Sequence, residues 1–255
     1  MQKHHALPDS KPNQLVSIGA KVGALLAVFV CFALIEWVAS LHLLSKTLPL
    51  PPSLAPGLTG LFEHHVWQFA IGMFAITVLS RGHLWSYGIN SSTIRLSMAI
   101  LVRFYGVALV IIVALVGIPL FETGNLPVYL KHLSRADMVG WIVFQWMVAA
   151  VADEILFHGL FQTLLAKYWP EKIVFRSFEI PIVVLFTTAA FAAGRTNVPV
   201  YGGDVLEYAF ALAIGLYGGL VYYRTRSLLT PMLSQAFFYG LPFVVRFAYL
   251  TLVAR

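Results

Sequence analysis

Long apolar runs dominate this sequence, and short polar or Pro/Gly-rich stretches separate them. Because about 20 apolar residues cross the hydrocarbon core of a bilayer, each run predicts a transmembrane helix. Seven spans can be drawn, at Val22–Leu44, Val66–Leu79, Leu96–Phe121, Met138–Leu165, Ile180–Ala193, Val205–Tyr223 and Leu228–Val253. The second and fifth runs are short, so each predicts a tilted or re-entrant segment or a helix longer than drawn. The last run has room for an eighth span near Pro242.

The composition agrees with this pattern. The chain is 59% hydrophobic and 11% charged, whereas an ordinary soluble domain carries about 25% charged residues. We therefore predict an all-α, polytopic transmembrane helical bundle formed as one domain by residues 22–255, after a polar cytoplasmic tail at 1–21. The predicted breaks and loops between spans are Thr47–Gly60, Glu122–Pro127, Tyr168–Glu179 on the inner side and Tyr201–Asp204 on the outer side.

The basic residues indicate how the chain is oriented. The net charge is +6, but no basic run interleaves with aromatic residues, which argues against nucleic acid as a partner. With the N-terminus inside, 11 of the 17 Lys and Arg residues fall on the inner side and 6 on the outer side, as the positive-inside rule requires. The segment Met1–Leu15 is too long and too weakly basic for a signal peptide, so the first span reads as an uncleaved anchor. We expect a bacterial-type plasma-membrane protein, in contact with lipids, whose N-terminus is cytoplasmic.

The strongest candidate for chemistry is an acidic pair inside the fourth span. Asp153 and Glu154 are adjacent, and His158 follows Glu154 by four residues, which places the imidazole and the second acid on one helical face. A carboxylate near the bilayer centre costs roughly 2.5–3.5 kcal/mol on insertion scales, so the pair must be partnered, protonated or wet. The alternative is an internal ion pair that fixes helix packing. Two acids beside a histidine favour function over packing alone.

Other reactive residue types are less informative. The chain has eight histidines, and none follows His158, which disfavours a metal site because catalytic zinc normally takes three protein ligands with histidine prominent. We expect no metal and no cofactor. Cys31 is the single cysteine and has no visible base, and Ser234 lacks the glycines of a nucleophile elbow, so it reads as a packing hydroxyl.

Several polar residues in or beside the spans need partners or a place at the interface. Glu36 lies in the first span and could pair with Arg103 or Arg195, or line a polar cavity. Three histidines lie at the ends of predicted spans and are expected to contact lipid headgroups: His42, His64 and His65.

A small-residue face runs along the sixth span. Ala211, Gly215, Gly218 and Gly219 recur at helical spacing, which lets helices approach closely. We interpret this face as a packing seam inside the bundle rather than as a dimerisation site.

Three short segments follow one another in the second half of the chain: Asp153-Glu-Ile-Leu-Phe-His-Gly159, Phe191-Ala-Ala-Gly-Arg195 and Gln235-Ala-Phe-Phe-Tyr239. In order and spacing they resemble the motifs of the CPBP family, which contains CAAX prenyl proteases, bacteriocin-processing enzymes and Abi-like self-immunity proteins. The corresponding family motifs are Glu-Glu-x-x-x-Arg-Gly, Phe-x-x-x-His and His-x-x-x-Asn. The resemblance extends over about 84–239 and is most secure over 139–239.

In active members, the resemblance implies, paired glutamates and histidines activate water for peptide hydrolysis within the membrane. This chain keeps both carboxylates but departs elsewhere. Arg195 stays cationic, so it can clamp an oxyanion or neutralise Asp153 and Glu154 but cannot shuttle protons. Gln235 can hydrogen-bond without transferring a proton, and Tyr239 is bulkier than the asparagine it replaces.

The altered motifs allow two interpretations, and loss of the catalytic activity is favoured over an active site rebuilt from other residues. In the first, Arg195 locks the acids in a salt-bridged plug, and a degenerate, non-catalytic homologue binds a membrane-embedded peptide, a prenylated or otherwise lipidated chain, or a membrane-protein partner. In the second, an active intramembrane endopeptidase uses Asp153 and Glu154 with His158, and Arg195 and Gln235 act as polar stabilisers. A transporter is less favoured because no inverted repeat is visible.

Overall fold

The computed structural model describes residues 17–47, 58–90, 93–118, 133–176, 178–195 and 205–252. The predicted break Glu122–Pro127, the loop Tyr201–Asp204, most of Thr47–Gly60 and the first 16 residues of the N-terminal tail lie outside these ranges.

Eight helices and one two-stranded sheet form the described part of the chain. The helices are α1 (Ile18–Ser40), α2 (Leu43–Thr47), α3 (Leu58–Ser80), α4 (Ile94–Ile112), α5 (Arg135–Ala166), α6 (Ile182–Gly194), α7 (Val205–Thr225) and α8 (Leu229–Leu252). A 3-10 turn at Leu84–Tyr87 follows α3, and α4 continues into a π-helical turn at Val113–Gly117.

The prediction of an all-α membrane bundle is confirmed. Seven long helices correspond to the seven predicted spans, and α2 is a single short helix. By length and apolarity, three helical stretches of the described residues could each cross a membrane alone: Ile18–Ser40, Ile94–Leu115 and Arg135–Ala166. The prediction of an eighth span is wrong for the described residues, because α8 runs unbroken through Pro242.

The start of α3 corrects a predicted boundary. The second apolar run begins at Val66, but the helix begins at Leu58 and includes the polar residues Glu63, His64 and His65. These residues interrupt the hydrophobic pattern because they face the protein interior or other helices rather than lipid. Glu63 is buried and accepts a hydrogen bond from the backbone N–H of Leu44 at 2.9 Å.

Helix α5 forms the centre of the bundle. A capping box starts it: the Ser134 hydroxyl accepts from the Asp137 N–H, and the Asp137 carboxylate accepts from the Ser134 N–H. Two stretches are π-helical, Phe144–Ala149 and Glu154–Gln162, and every residue of the second is buried. Burial of this stretch on every side requires neighbours all around the helix, and α5 packs against α3, α6, α7 and α8.

The predicted inner loop Tyr168–Glu179 contains an antiparallel hairpin that the hydrophobic pattern did not indicate. Its strands are β1 (Lys172–Phe175) and β2 (Phe178–Pro181), with Lys172 opposite Pro181 and Val174 opposite Glu179. The Lys172 ammonium bonds the Glu179 carboxylate at 2.7 Å. Pro181 ends the second strand and is the N-cap of α6, so the hairpin leads directly into that helix.

The small-residue face of α7 packs inside the bundle, which confirms the predicted seam. A Cβ atom at Gly215 would lie 3.0 Å from the Phe191 ring of α6, and one at Gly219 would lie 2.8 Å from Cγ1 of Val184. At Gly218 the same atom would meet His158 of α5 at 3.0 Å. The glycines therefore let α7 approach α5 and α6 closely at the level of the acidic pair.

Candidate functional site

Asp153 lies at the point where four helices meet. Its carboxylate is buried, with 3% of the residue exposed. One oxygen, Oδ2, accepts hydrogen bonds from the Arg195 guanidinium and, at 2.6 Å, from the Gln235 amide. The other, Oδ1, accepts a bond from the Gln68 amide at 2.8 Å. Donors from α6, α8 and α3 thus occupy both oxygens of an acid carried by α5.

Arg195 is held in place by more than its carboxylate partner. It follows the last residue of α6, and its backbone N–H bonds the carbonyl of Ala192 at 3.1 Å. The guanidinium lies over the Tyr239 ring, 4.5 Å from the ring centroid, and 5.4 Å from that of Phe191. An arginine stacked on aromatic rings and bonded to a buried carboxylate is fixed in position. Tyr239 therefore lines the site, at the position of the family asparagine.

Glu154 belongs to a second, separate arrangement. Its Oε2 lies 2.5 Å from Nδ1 of His158, one turn along α5, and Nε2 of His158 lies 3.3 Å from the carbonyl oxygen of Gly215. Both ring nitrogens of His158 therefore face oxygen acceptors. Oε1 of Glu154 is buried and has no hydrogen-bond partner among the described residues.

The two adjacent acids therefore have different partners. Successive residues of a helix point about 100° apart, so Asp153 faces α3, α6 and α8, and Glu154 faces the glycines of α7. The expectation that Arg195 pairs with both acids is wrong for Glu154: its bonded partner is His158.

Two residues of α3 reach the site although the sequence analysis missed them. Gln68 bonds Asp153, and Nε2 of His65 lies 3.6 Å from Oδ1 of the same carboxylate. Nδ1 of His65 lies 2.7 Å from the Leu61 carbonyl oxygen, to which it donates a hydrogen bond. The prediction that His65 is interfacial is wrong, because the residue is 4% exposed. The i, i+3 spacing of His65 and Gln68 on one helical face was the available signal.

The other polar candidates lie away from Asp153. The Glu36 side chain is 66% exposed, and its Oε1 lies 3.8 Å from Nδ1 of His64. The expected pairing of Glu36 with Arg103 or Arg195 is therefore wrong. His42 is exposed near Glu63. Ser234 is buried within α8, and Cys31 is half-buried in α1.

The chemistry open to the two acids differs. Asp153 accepts two hydrogen bonds at Oδ2 and one at Oδ1, which leaves one lone pair of Oδ1 unbonded, 3.6 Å from Nε2 of His65. Glu154 keeps one unbonded oxygen beside an imidazole. No group of three or more His, Cys, Asp or Glu residues that could hold a metal ion occurs in the described ranges.

The comparisons with known proteins bear on the same part of the chain. A family model described as "Type II CAAX prenyl endopeptidase Rce1-like" matches residues 135–241, which extend from the first turn of α5 to the middle of α8. No curated protein and no solved structure gives a significant match. The match contains Asp153, Glu154, Arg195, Gln235 and Tyr239, whereas His65 and Gln68 precede it. Over residues 135–241, this chain is therefore similar to the Rce1-like CAAX prenyl endopeptidases of the CPBP family, and its apolar helices are those of an integral membrane protein.

Proposed function

We propose that this protein is a non-catalytic relative of the CAAX-type intramembrane endopeptidases that binds a membrane-embedded peptide, a lipidated chain or a membrane-protein partner. One observation carries the first half of the proposal. Arg195, Gln235 and Gln68 together bond both oxygens of Asp153, the acid at the first position of the family motif.

Hydrolysis requires a group that takes a proton from water and later returns it. A guanidinium remains protonated at all physiological pH values, and an amide neither accepts nor donates a proton in that range. The substitutions at 195 and 235 therefore replace two titratable side chains by two fixed donors. Arg195 neutralises the carboxylate, and Gln235 donates a hydrogen bond to it, so the buried acid remains compatible with the helix packing around it.

The binding half of the proposal rests on the surface of the bundle. Helix α1 buries only Ala24 and Ile35 among its 23 residues, and Phe29 and Trp37 are exposed. Such a helix contacts lipid tails or another transmembrane segment. A bundle that keeps this exposed apolar surface, and whose central acid is bonded to three donors, is suited to binding a partner rather than to hydrolysing a peptide.

Peptide hydrolysis by the purified protein tests the first half. Full-length protein in detergent is incubated with prenylated and unmodified peptides ending in a CAAX sequence, beside Glu154→Gln, Asp153→Asn and the distant control Glu36→Gln. We expect all four proteins to give the same background rate. Turnover that disappears in Glu154→Gln and persists in Glu36→Gln would sink the proposal.

Binding is measured with the same peptides by fluorescence anisotropy. We expect the prenylated peptide to bind wild-type protein and Glu154→Gln equally well, since no bond is broken. Equal, weak binding of prenylated and unmodified peptides would contradict a lipidated-chain partner and would leave a membrane-protein partner as the remaining form of the proposal.

A second candidate is an active endopeptidase that uses Glu154 and His158. The 2.5 Å contact between them and the unbonded Oε1 of Glu154 favour this candidate. A water held at Oε1 would have a base beside it and an imidazole to relay its proton. The Glu154→Gln arm of the hydrolysis assay separates the two functions, because only this candidate predicts a loss of turnover.

A further inference from the structure

The β1–β2 hairpin lies at one end of the bundle together with the starts and ends of several helices. The Lys21 ammonium of α1 bonds the Glu171 carboxylate, just before β1, at 2.5 Å. The Arg224 guanidinium of α7 lies 5.6 Å from the ring centroid of Phe178 in β2. The Lys172 ammonium of β1 lies 5.8 Å from that of Tyr223 in α7. These contacts place the start of α1, the end of α7 and the hairpin at one end of the bundle, which we call the hairpin end.

The hairpin end has a strong excess of positive charge. Among the residues that the structure describes here, the carboxylates of Glu171 and Glu179 are each bonded to a lysine. The hydrogen bond from Lys21 holds the pKa of Glu171 below its usual range, so this carboxylate stays ionised near neutral pH. Described cations at this end include Lys21, Lys167, Lys172, Arg176, Arg224 and Arg226. These six exceed the carboxylates Glu171 and Glu179 by four positive charges.

Exposed apolar side chains stand beside these cations. Val174 and Ile173 in β1 are 64% and 48% exposed, and Phe178 in β2 is 43% exposed. Trp85, in the turn after α3, is 63% exposed. Aromatic and aliphatic groups next to lysine and arginine are typical of a surface at the headgroup level of a bilayer, where the apolar groups enter the acyl boundary and the cations meet phosphates.

We propose that the hairpin end is a binding surface for the phosphate headgroups of anionic phospholipids. The proposal goes beyond the function above, because it concerns lipid at the membrane surface rather than a partner inside the membrane. Charge complementarity identifies the occupant: an excess of cations, mixed with exposed apolar groups, fits a lipid that has both an anionic head and an apolar tail. An acidic peptide would satisfy the cations and leave Val174 and Ile173 in water.

Lipid titration of the full-length protein tests this proposal. Delipidated protein in detergent is titrated with phosphatidylglycerol or phosphatidylcholine, and bound lipids are counted by native mass spectrometry. We expect wild-type protein to bind phosphatidylglycerol more tightly. Removing two exposed cations, as in Arg176→Gln/Arg224→Gln, should weaken that binding about 25-fold, on the basis of roughly fivefold per cation near an anionic surface.

Matched variants separate lipid binding from loss of fold. The pair Arg176→Lys/Arg224→Lys keeps both charges, and Lys46→Gln/Arg135→Gln removes two cations from the opposite end; both should bind phosphatidylglycerol as wild type does. Each variant is checked for wild-type gel-filtration elution and unfolding temperature. Equal binding of the two lipids, or unchanged affinity in the Gln pair, would overturn the proposal. So would displacement of the lipid by inorganic phosphate or a polyglutamate peptide, which would indicate a general anion site or a peptide site.

Discussion

Asp153 shows how the environment of a single carboxylate decides between reaction and structure. A buried acid needs donors, and a catalytic acid needs a free lone pair as well. Arg195 and Gln235 are bonded to the same oxygen, and Gln68 is bonded to the other. The bonds that make burial of Asp153 tolerable also stabilise its ionised form, which makes the carboxylate a weaker base, in agreement with the proposed function.

Removing the cation of this pair should be costly. Replacing Arg195 by Gln leaves a buried carboxylate without its charged partner, and breaking one side of a buried ion pair costs about 3–5 kcal/mol. We therefore expect Arg195→Gln to lower the free energy of unfolding by about that amount, measured by urea or thermal unfolding in a fixed detergent. Because Arg195→Gln/Asp153→Asn removes both charges, it should recover most of the loss. Equal destabilisation by the single and double variants would show that the pair is not coupled.

The residues of the site could be predicted in part. The order and spacing of three motifs identified Asp153, Arg195 and Gln235, and the structure brings these three together. His65 and Gln68 could not be found in this way, because they approach Asp153 from a helix 85 residues earlier in the chain. A histidine pair at the edge of an apolar run looks interfacial until the fold shows that His65 faces inward.

At the scale of elements, the glycines of α7 set the distance between α7 and its neighbours. Substituting Gly219 by Ala would place a Cβ atom 2.8 Å from Val184, a branched side chain close to the backbone of α6. Overpacking of this kind typically costs about 1–3 kcal/mol. We expect Gly219→Ala to lower the unfolding temperature measurably in detergent.

Gly106→Ala in α4 is the matched control, because a Cβ atom there would meet nothing within 4 Å. Alanine is favoured over glycine inside a helix by roughly 0.5–1 kcal/mol, so this variant should be neutral or slightly more stable. If the two variants behave alike, helix propensity rather than close packing governs the glycines of α7.

Hydrophobic periodicity located most elements and failed at two. The long apolar runs predicted seven helices, since a membrane requires every backbone group to be bonded within its own helix. The start of α3 was missed because Glu63, His64 and His65 interrupt the run. The hairpin was missed because two four-residue strands in a charged segment carry no periodic signal.

At the scale of the whole molecule, the contacts of the hairpin fix which ends of the chain share a membrane side. Lys21 of α1 bonds Glu171, so the start of α1 and the hairpin lie at one end, and Lys46 in α2 lies at the other. The distribution of basic residues then predicts that the hairpin end is cytoplasmic.

Cysteine labelling checks this orientation. In a Cys31→Ser background, Lys172→Cys and Lys46→Cys each introduce one thiol at an exposed position. A membrane-impermeant maleimide added to spheroplasts should label Lys46→Cys. It should label Lys172→Cys only after the inner membrane is permeabilised. The reverse pattern would place the N-terminus outside.

The continuity of the hairpin with α6 has a mechanical consequence. Pro181 closes the hairpin and caps α6, whose other end is followed by Arg195. At 1.5 Å per residue, α6 is about 20 Å long, and it connects the hairpin at the end of the bundle to Arg195 near the centre. Asp153 lies on α5, so the contact between Arg195 and Asp153 fixes the position of α6 relative to α5 along the membrane normal. If a change in bilayer thickness shifts the hairpin along the membrane normal, α6 would move with it and displace Arg195 relative to Asp153.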